Sequence, residues 1–164
     1  MKTVTIALVL CGLIAAQDMS SCPMHKRKSD HQADVEKYGD EAMGFAHNKT
    51  THHFRVSPDG GAIEISVNDV EDSENLTAIR LHLKHVALMF SNGDFSVPMF
   101  VHSTVPPGVN EMTYRRANIR YTFEEMPAGG RVRIVTDNCD ALNAVHDFLV
   151  FQIQEHPTGD AEHP

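Results

Sequence analysis

Residues 60–69, with the sequence GGAIEISVND, carry the pattern that decides the predicted fold. Apolar and polar side chains alternate over residues 63–67, and this period of two is typical of a strand with one buried face. The preceding residues 57–61, SPDGG, supply the proline and glycines that a tight turn requires. With residues 51–56, THHFRV, as the first arm, the sequence predicts a β-hairpin.

Residues 129–138, GGRVRIVTDN, repeat this alternation and turn chemistry in the second half of the chain. Residues 119–123 provide the other arm of a second hairpin, and a helix is predicted after each hairpin, over residues 74–90 and residues 140–156. We therefore predict a duplicated ββα unit in an α+β fold, with an antiparallel sheet and helices packed on one of its faces. The alternative is a chance similarity between amphipathic segments.

The first predicted helix has Ser73 as its candidate N-cap and ends at Gly93. Its predicted buried stripe follows helical spacing and consists of Leu76, Ile79, Leu83, Val86 and Phe90. Residues 97–103 are predicted as a short strand that links the two units, and residues 32–43 have weak helical character.

The size and composition of the chain are those of one globular domain. The protein has 164 residues, of which 41% are hydrophobic and 22% charged, and these values exclude wholesale disorder. The formal net charge of −8 disfavours nucleic acid and anionic membrane surfaces as partners, because like charges repel. The 11 histidines and 8 methionines, without any tryptophan, suggest a metal-binding protein.

Residues 1–17, MKTVTIALVLCGLIAAQ, have the order of a secretory signal peptide: a basic start, a short apolar run and small residues at the cleavage site. The run is too short to span a bilayer, and no later segment is apolar enough to anchor the chain. The sequence therefore predicts an exported protein, periplasmic or secreted, with no transmembrane segment in the mature chain. Residues 18–34 are predicted to be a mobile tail and residues 35–164 a single α+β domain.

The tail contains the sequence Cys-Pro-Met-His, in which Cys22, Met24 and His25 offer a thiolate, a thioether and an imidazole. This ligand set suits Cu(I) and other soft or borderline ions. It resembles the Cys-Pro-Met-His motif of the small heavy-metal-binding domains of bacterial copper exporters and metal-efflux adaptors. Ser20 and Lys26 stand where that family carries an aromatic residue and a proline. The resemblance implies copper or heavy-metal handling outside the cytoplasm; the alternative is a disordered tail that happens to contain these residues.

Removal of the signal peptide leaves two cysteines, Cys22 and Cys139. In an oxidising compartment they could form one disulfide that ties the tail to the domain. The other interpretation is two independent thiols, with Cys22 as a metal ligand.

A second candidate metal site lies in the body of the domain. On the first predicted helix, His82, His85 and Met89 fall within about 60° of arc, so their side chains can converge on one ion. On the first predicted strand, His52 shares parity with Phe54 and is expected on the core side, within reach of that helix. His102, from the predicted linking strand, is a further candidate ligand. The alternative for these histidines is a structural role, hydrogen-bonded or partly exposed.

The chain as a whole resembles a group of exported bacterial proteins that carry a Met-Gly-Phe segment followed by Thr-Thr-His-His-Phe. Here these segments are residues 43–45 and residues 50–54, and the later Pro-Pro-Gly of residues 106–108 belongs to the same resemblance. The resemblance implies the architecture of the domain and no particular activity.

These features together predict an exported, non-enzymatic protein that binds a metal ion and sequesters or delivers it. Copper is the expected ion, with zinc or another transition metal as the alternative, and a metal-transport protein is a candidate partner. An enzyme with an open three-histidine metal site is a second possibility. A module that binds a small ligand or another protein is the third, and it would show an apolar cavity between sheet and helices with the histidines scattered.

Overall fold

The structure is a computed structural model that describes residues 23–156 and 158–164, with side chains from residue 30 onward. Within this part of the chain it contains helices α1 (Pro23–Met43), α2 (Ser73–Ser91), α3 (Ser96–His102), α4 (Val109–Tyr114) and α5 (Cys139–Glu155), and strands β1 (Thr50–Ser57), β2 (Gly60–Val67), β3 (Ile119–Met126) and β4 (Gly129–Thr136). None of the described helices combines the length and apolar character that a membrane crossing requires. The predicted signal peptide lies outside the described residues.

The four strands form one antiparallel sheet in the order β1-β2-β4-β3. Both predicted hairpins are present, and their glycine-led strands β2 and β4 pair with each other at the centre of the sheet, where Ile63 lies opposite Val132. The α+β class with an antiparallel sheet is confirmed. The internal duplication of a ββα unit stays a prediction.

One face of the sheet carries the hydrophobic core, because alternate residues of each strand point to the same side. Phe54, Ile63 and Val132 occupy adjacent positions across three strands and are buried on this face. Helices α2 and α5 pack against the sheet there. The predicted stripe of α2 is confirmed, since Ile79, Leu83, Val86 and Phe90 are buried, and Leu76 is half-buried at its end.

The prediction of a linking strand over residues 97–103 is wrong, because this segment forms α3. A short apolar run fits a buried strand or a buried helix equally well. The helix is favoured here by Asp94, whose side chain accepts a hydrogen bond from the Ser96 N–H at 2.9 Å, and by Pro98, which lies in the first turn, where its missing N–H is not needed.

The prediction of Ser73 as the N-cap of α2 is also wrong. The cap is Asp72, whose side chain accepts a hydrogen bond from the Asn75 N–H at 3.1 Å. A carboxylate at this position also interacts favourably with the positive end of the helix dipole, which a serine hydroxyl does only weakly.

Helix α1 begins at Pro23, earlier than the helical character predicted from residue 32, so part of the segment predicted as a mobile tail is helical. The helix packs on α3, with the rings of Tyr38 and Phe100 at a centroid distance of 5.2 Å. Val35 is only 1% exposed. Helices α1 and α3 therefore lie together beside the core and cover part of it.

The C-terminal segment binds the free edge of β1 through Asp160. The Asp160 carboxylate accepts hydrogen bonds from the Phe54 N–H at 2.9 Å, from Arg55 at 2.7 Å and from His53 Nδ1 at 2.9 Å. Burial raises the pKa of Asp160, but hydrogen bonds from Phe54, Thr158 and His53 outweigh it and hold the pKa below its ordinary value. An edge strand that is covered in this way is protected from pairing with other chains.

Candidate functional site

A partly enclosed cavity of about 320 Å³ lies between the core face of the sheet and the helices. This volume corresponds to about ten water molecules. The sheet contributes Ile63 and Ile65 to its wall, α2 contributes Leu83, Val86 and Phe90, and α1, α3 and α5 complete it. Most of the lining is apolar, as in sites that bind small organic molecules.

Five histidines from five parts of the chain line the cavity: His47, His52, His82, His102 and His156. Three of them, His52, His82 and His102, are among the metal ligands predicted from the sequence. His52 lies on the core side of β1, as its parity predicts, whereas His102 is the last residue of α3 and not part of a strand. The half-exposed side chains of His47 and Glu36 lie at the rim, 3.4 Å apart.

At one end of the cavity His52 contacts a thioether. His52 Nε2 lies 3.2 Å from Met43 Sδ. The Phe45 ring stacks on the His52 ring at a centroid distance of 6.5 Å and meets the His82 ring edge-on at 5.7 Å. Phe45, in the loop after α1, therefore lies against both imidazoles, and Met43, the last residue of α1, brings a sulfur to His52.

Elsewhere in the lining, His102 and Gln152 form a buried polar pair. Each residue is 4% exposed, and His102 Nε2 is 3.0 Å from Gln152 Oε1. The other polar atoms of the pair, His102 Nδ1 and Gln152 Nε2, have no hydrogen-bond partner within the described residues. Glu155 Oε2 is 3.8 Å from His102 Nδ1, which is beyond hydrogen-bond distance. The ring of His156 lies beside this pair, 5.2 Å from the His102 ring.

Burial lowers the pKa of four cavity imidazoles, those of His52, His82, His102 and His156, and so keeps them uncharged at neutral pH. The pKa of His52 and of His82 falls to about 4 and that of His156 to about 3, with burial as the largest cause and neighbouring histidines as a further one. Burial also lowers the pKa of His102, although Gln152 and Glu155 partly offset this effect. No lysine or arginine is among the described residues that line the cavity. The interior therefore offers neutral donors and acceptors and no fixed positive charge.

The structure brings together only some of the predicted metal ligands. Among the described residues, no group of three or more histidine, cysteine, aspartate or glutamate side chains is arranged to hold a metal ion. His52 and His82 line the cavity, His85 is exposed on the outer side of α2, and Met89 is half-buried against the core. The three histidines of the predicted body site do not form one group there.

The tail ligands cannot be placed in the same way. Cys22 lies outside the described residues, and the side chains of Met24 and His25, whose backbone belongs to α1, lie outside them as well. Cys139 is exposed and has no disulfide partner within the part of the chain that the structure describes. The metal-binding tail and the Cys22–Cys139 disulfide stay predictions.

Four residues of the site were not predicted from the sequence: Met43, His47, Gln152 and His156. The burial of Gln152 could have been predicted from the sequence, because it follows Leu149 by three residues and so lies on the buried face of α5. A polar residue at a core position of a helix requires a partner. Met43 and His156 stand at the ends of α1 and α5, where helical spacing gives no direction for the side chain.

Comparisons with known proteins provide no relative for this chain. No protein-family model, no curated protein and no solved structure matches it.

Proposed function

We propose that the protein is exported and binds a small, largely apolar organic molecule in the cavity between sheet and helices. The observation that carries this proposal is the combination of an apolar lining with the buried His102–Gln152 pair, which retains unsatisfied polar atoms. Apolar walls with a few convergent polar groups are typical of small-molecule sites, where the polar groups orient the ligand.

The packing of protein interiors supports a ligand as the natural content of this space. Protein cores are close-packed, so a partly enclosed space of this size leaves the apolar side chains around it without packing partners. Water would recover little of this loss beside Ile63, Leu83 and Phe148, which offer no hydrogen bonds. A molecule with an apolar body and a polar group would satisfy both kinds of surface.

The proposal is tested with N-phenyl-1-naphthylamine, an uncharged apolar dye whose fluorescence increases when it leaves water. The protein is expected to bind this dye, and Val101→Phe is expected to weaken binding at least about tenfold, because the added ring occupies cavity volume. Fluorescence titration at pH 7 measures both affinities, and circular dichroism shows that the variant is folded.

The matched control is Val70→Phe, the same substitution at a residue that is 74% exposed and remote from the cavity lining. It is expected to leave the affinity for the dye unchanged. Equal dye binding by the protein, the Val101→Phe variant and the Val70→Phe variant would contradict the proposal, since the dye would then bind elsewhere.

Binding of Cu(I) is a second candidate function, favoured by the contact between His52 Nε2 and Met43 Sδ. Protein nitrogen and sulfur ligands lie about 2.0–2.3 Å from a bound ion. Two atoms that are 3.2 Å apart can therefore both contact one ion, at roughly a right angle. Imidazole and thioether are ligands that Cu(I) prefers, and His82 is a candidate for a third position. In this function the protein sequesters copper or delivers it to a transport protein.

Anaerobic titration with Cu(I) against the colorimetric chelator bicinchoninate tests this candidate. We expect Met43→Leu to lower the Cu(I) affinity about tenfold or more, since loss of one soft ligand removes a large part of the binding energy of a site with so few ligands. Met99→Leu, at an exposed methionine of α3, is the control and should bind as the unsubstituted protein does. Cu(I) binding that survives Met43→Leu but is lost in Cys22→Ser would assign the metal to the tail and exclude the cavity.

A further inference from the structure

We propose that the protein forms a two-fold symmetric dimer in which the free edges of two β3 strands pair and join the two sheets into one. The partner is a second copy of this chain, and the dimer does not depend on what the cavity binds. Three features of the described residues carry the proposal: the uncovered edge of β3, the charge pattern of this strand, and the position of α2 beside it.

The two edges of the sheet differ in how they are covered. At the edge of β1, the carboxylate of Asp160 accepts a hydrogen bond from the Phe54 N–H. Strand β3 pairs only with β4, and no other described segment forms a backbone hydrogen bond with its outer side. A strand edge with free N–H and C=O groups is a template for pairing with another strand.

The register of the sheet identifies the free backbone groups of β3. The Thr136 N–H donates to the carbonyl oxygen of Asp59 at 3.0 Å, so the backbone groups of Thr136 point toward β2 and away from β3. Thr136 lies opposite Ile119, and the direction of the backbone groups alternates along a strand. The residues whose N–H and C=O groups point to the free edge are therefore Ile119, Tyr121, Phe123 and Glu125.

The charges of β3 are complementary to those of a second, antiparallel copy of the strand. When Thr122 lies opposite Thr122 of the second copy, Arg120 lies opposite Glu124 of that copy, and the free backbone groups of the two strands face each other. A shift of the register by two residues keeps the hydrogen bonds but loses both charge pairs, and a shift by four places like charges opposite each other. The sequence of β3 therefore favours one register of self-pairing.

This register extends a row of alternating charges across the outer face of the sheet. Glu64, Arg131 and Glu124 lie directly opposite one another on β2, β4 and β3. Arg131 is 2.7 Å from the Glu124 carboxylate and 3.7 Å from that of Glu64. Arg120 is exposed and forms no ion pair within the described part of the chain. In the dimer, Arg120 of the second copy occupies the next place in the row, beside Glu124.

Helix α2 lies where a second copy of the helix would pack against it. It rests on β3 and β4 equally, and neighbouring strands are about 4.8 Å apart, so pairing at β3 places the two α2 axes about 10 Å apart. Packed helices have this spacing. Lys84 of α2 lies over the Phe123 ring of β3, and Leu88 follows it by one turn. Leu81 and Leu88 are 63% and 61% exposed, so this side of α2 offers apolar surface that the second copy would cover.

Sedimentation equilibrium over a range of protein concentrations tests the dimer and gives its dissociation constant. The protein is expected to approach twice the mass of one chain as its concentration rises. Arg120→Glu should weaken association at least about tenfold, because two ion pairs become two like-charge contacts. Adding Glu124→Arg to this variant restores opposite charges across the two-fold axis and should recover part of the affinity. The control Lys49→Glu makes the same change of charge at an exposed residue before β1, on the other side of the sheet, and should associate as the unsubstituted protein does.

Hydrogen exchange of the unsubstituted protein locates the interface. The amide hydrogens of Tyr121 and Phe123 should exchange at least about tenfold more slowly at concentrations that favour the dimer, because they are hydrogen-bonded only there. The amide of Phe54, bound to Asp160 at the opposite edge, should exchange at the same rate at every concentration.

Four results would overturn the proposal. A protein that stays monomeric at every concentration is the first, and a dimer that Arg120→Glu leaves equally tight is the second. A dimer in which the Tyr121 and Phe123 amides exchange as fast as in the monomer would use another surface. A monomer in which these amides are protected would show that another segment of the same chain covers the edge. The exchange measurement needs no variant, so it decides between these results even if Arg120→Glu does not fold.

Discussion

The free energy of unfolding is expected to fall by several kcal/mol as the pH is lowered from 6.5 to 4, because the unfolded chain binds protons that the native protein does not. A histidine in an unfolded chain titrates near pH 6.5. In the native protein the pKa of His52 and of His82 is about 4 and that of His156 about 3. Above pH 6.5 these histidines are uncharged in both states, and the free energy of unfolding has its full value. As the pH falls toward 4 it decreases progressively, because the unfolded chain binds protons and the native protein does not.

The size of this effect follows from the burial of the rings. One pKa unit corresponds to about 1.4 kcal/mol, so each imidazole with a pKa of about 4 contributes up to about 3 kcal/mol. Burial is the largest cause for all three, and the neighbouring histidines add to it: His82 beside His52, and His102 beside His156. Asp40 acts in the opposite direction on His52 and reduces the effect there.

Urea unfolding followed by circular dichroism at pH 7, 6, 5 and 4.5 measures this dependence. The variant His82→Gln should show a shallower decline, because it removes one of the groups that titrate differently in the two states. His163→Gln, at an exposed histidine of the C-terminal segment, should follow the unsubstituted protein. A free energy of unfolding that is constant from pH 6.5 to 4.5 would show that the cavity imidazoles are already solvated in the native protein.

Gly129→Ala is expected to destabilise the protein by at least about 3 kcal/mol, the upper range for overpacking, and to abolish folding in a marginally stable domain. A Cβ at Gly129 would lie 1.9 Å from the backbone oxygen of Ile65 on the neighbouring central strand. Gly60 stands in the equivalent place of the first hairpin, where a Cβ would lie 2.2 Å from the backbone oxygen of Ile134. The atoms that would clash are backbone atoms, so a rotation of a side chain cannot relieve the contact, and the pairing of β2 with β4 must open.

Thermal unfolding and the yield of soluble protein measure this effect. The control is Gly39→Ala in α1, where an added Cβ meets only the end of the Met43 side chain at 3.5 Å. Because alanine is a better helix former than glycine by about 1 kcal/mol, Gly39→Ala should be neutral or slightly stabilising. A Gly129→Ala variant that unfolds at the same temperature as the unsubstituted protein would show that the close approach of the two central strands is not required.

The strands of the sheet and the helices α2 and α5 were predictable because their signals are local. The alternation of apolar and polar residues over residues 63–67 indicates which side of that strand is buried, and helical spacing does the same for residues 74–90. Neither signal depends on the rest of the chain. The paired glycines at residues 60–61 and 129–130 were read as turn residues, and their second role appears only in the sheet. There the first glycine of each pair permits the close contact between the two central strands.

The site was predictable only in part. Parity placed His52 on the core side and helical phase placed His82 beside the buried stripe, and both residues line the cavity. The convergence of His85 with them did not follow, because a spacing of three residues on a helix allows either a common ion or two different surroundings. His85 is exposed, and its neighbour His82 is not.

The amino-acid sequence by itself therefore determined the strands, the helices α2 and α5 and the inward direction of His52, since these depend on periodicity within a short stretch of chain. Tertiary packing alone decided the site. Met43, His102 and Gln152 belong to elements far apart along the chain, and they line one cavity only because α1 and α3 lie beside α5 at the edge of the sheet. The periodicity of a single element cannot predict that these three side chains line one cavity. That arrangement depends on which elements pack together and on the space that their side chains leave between them.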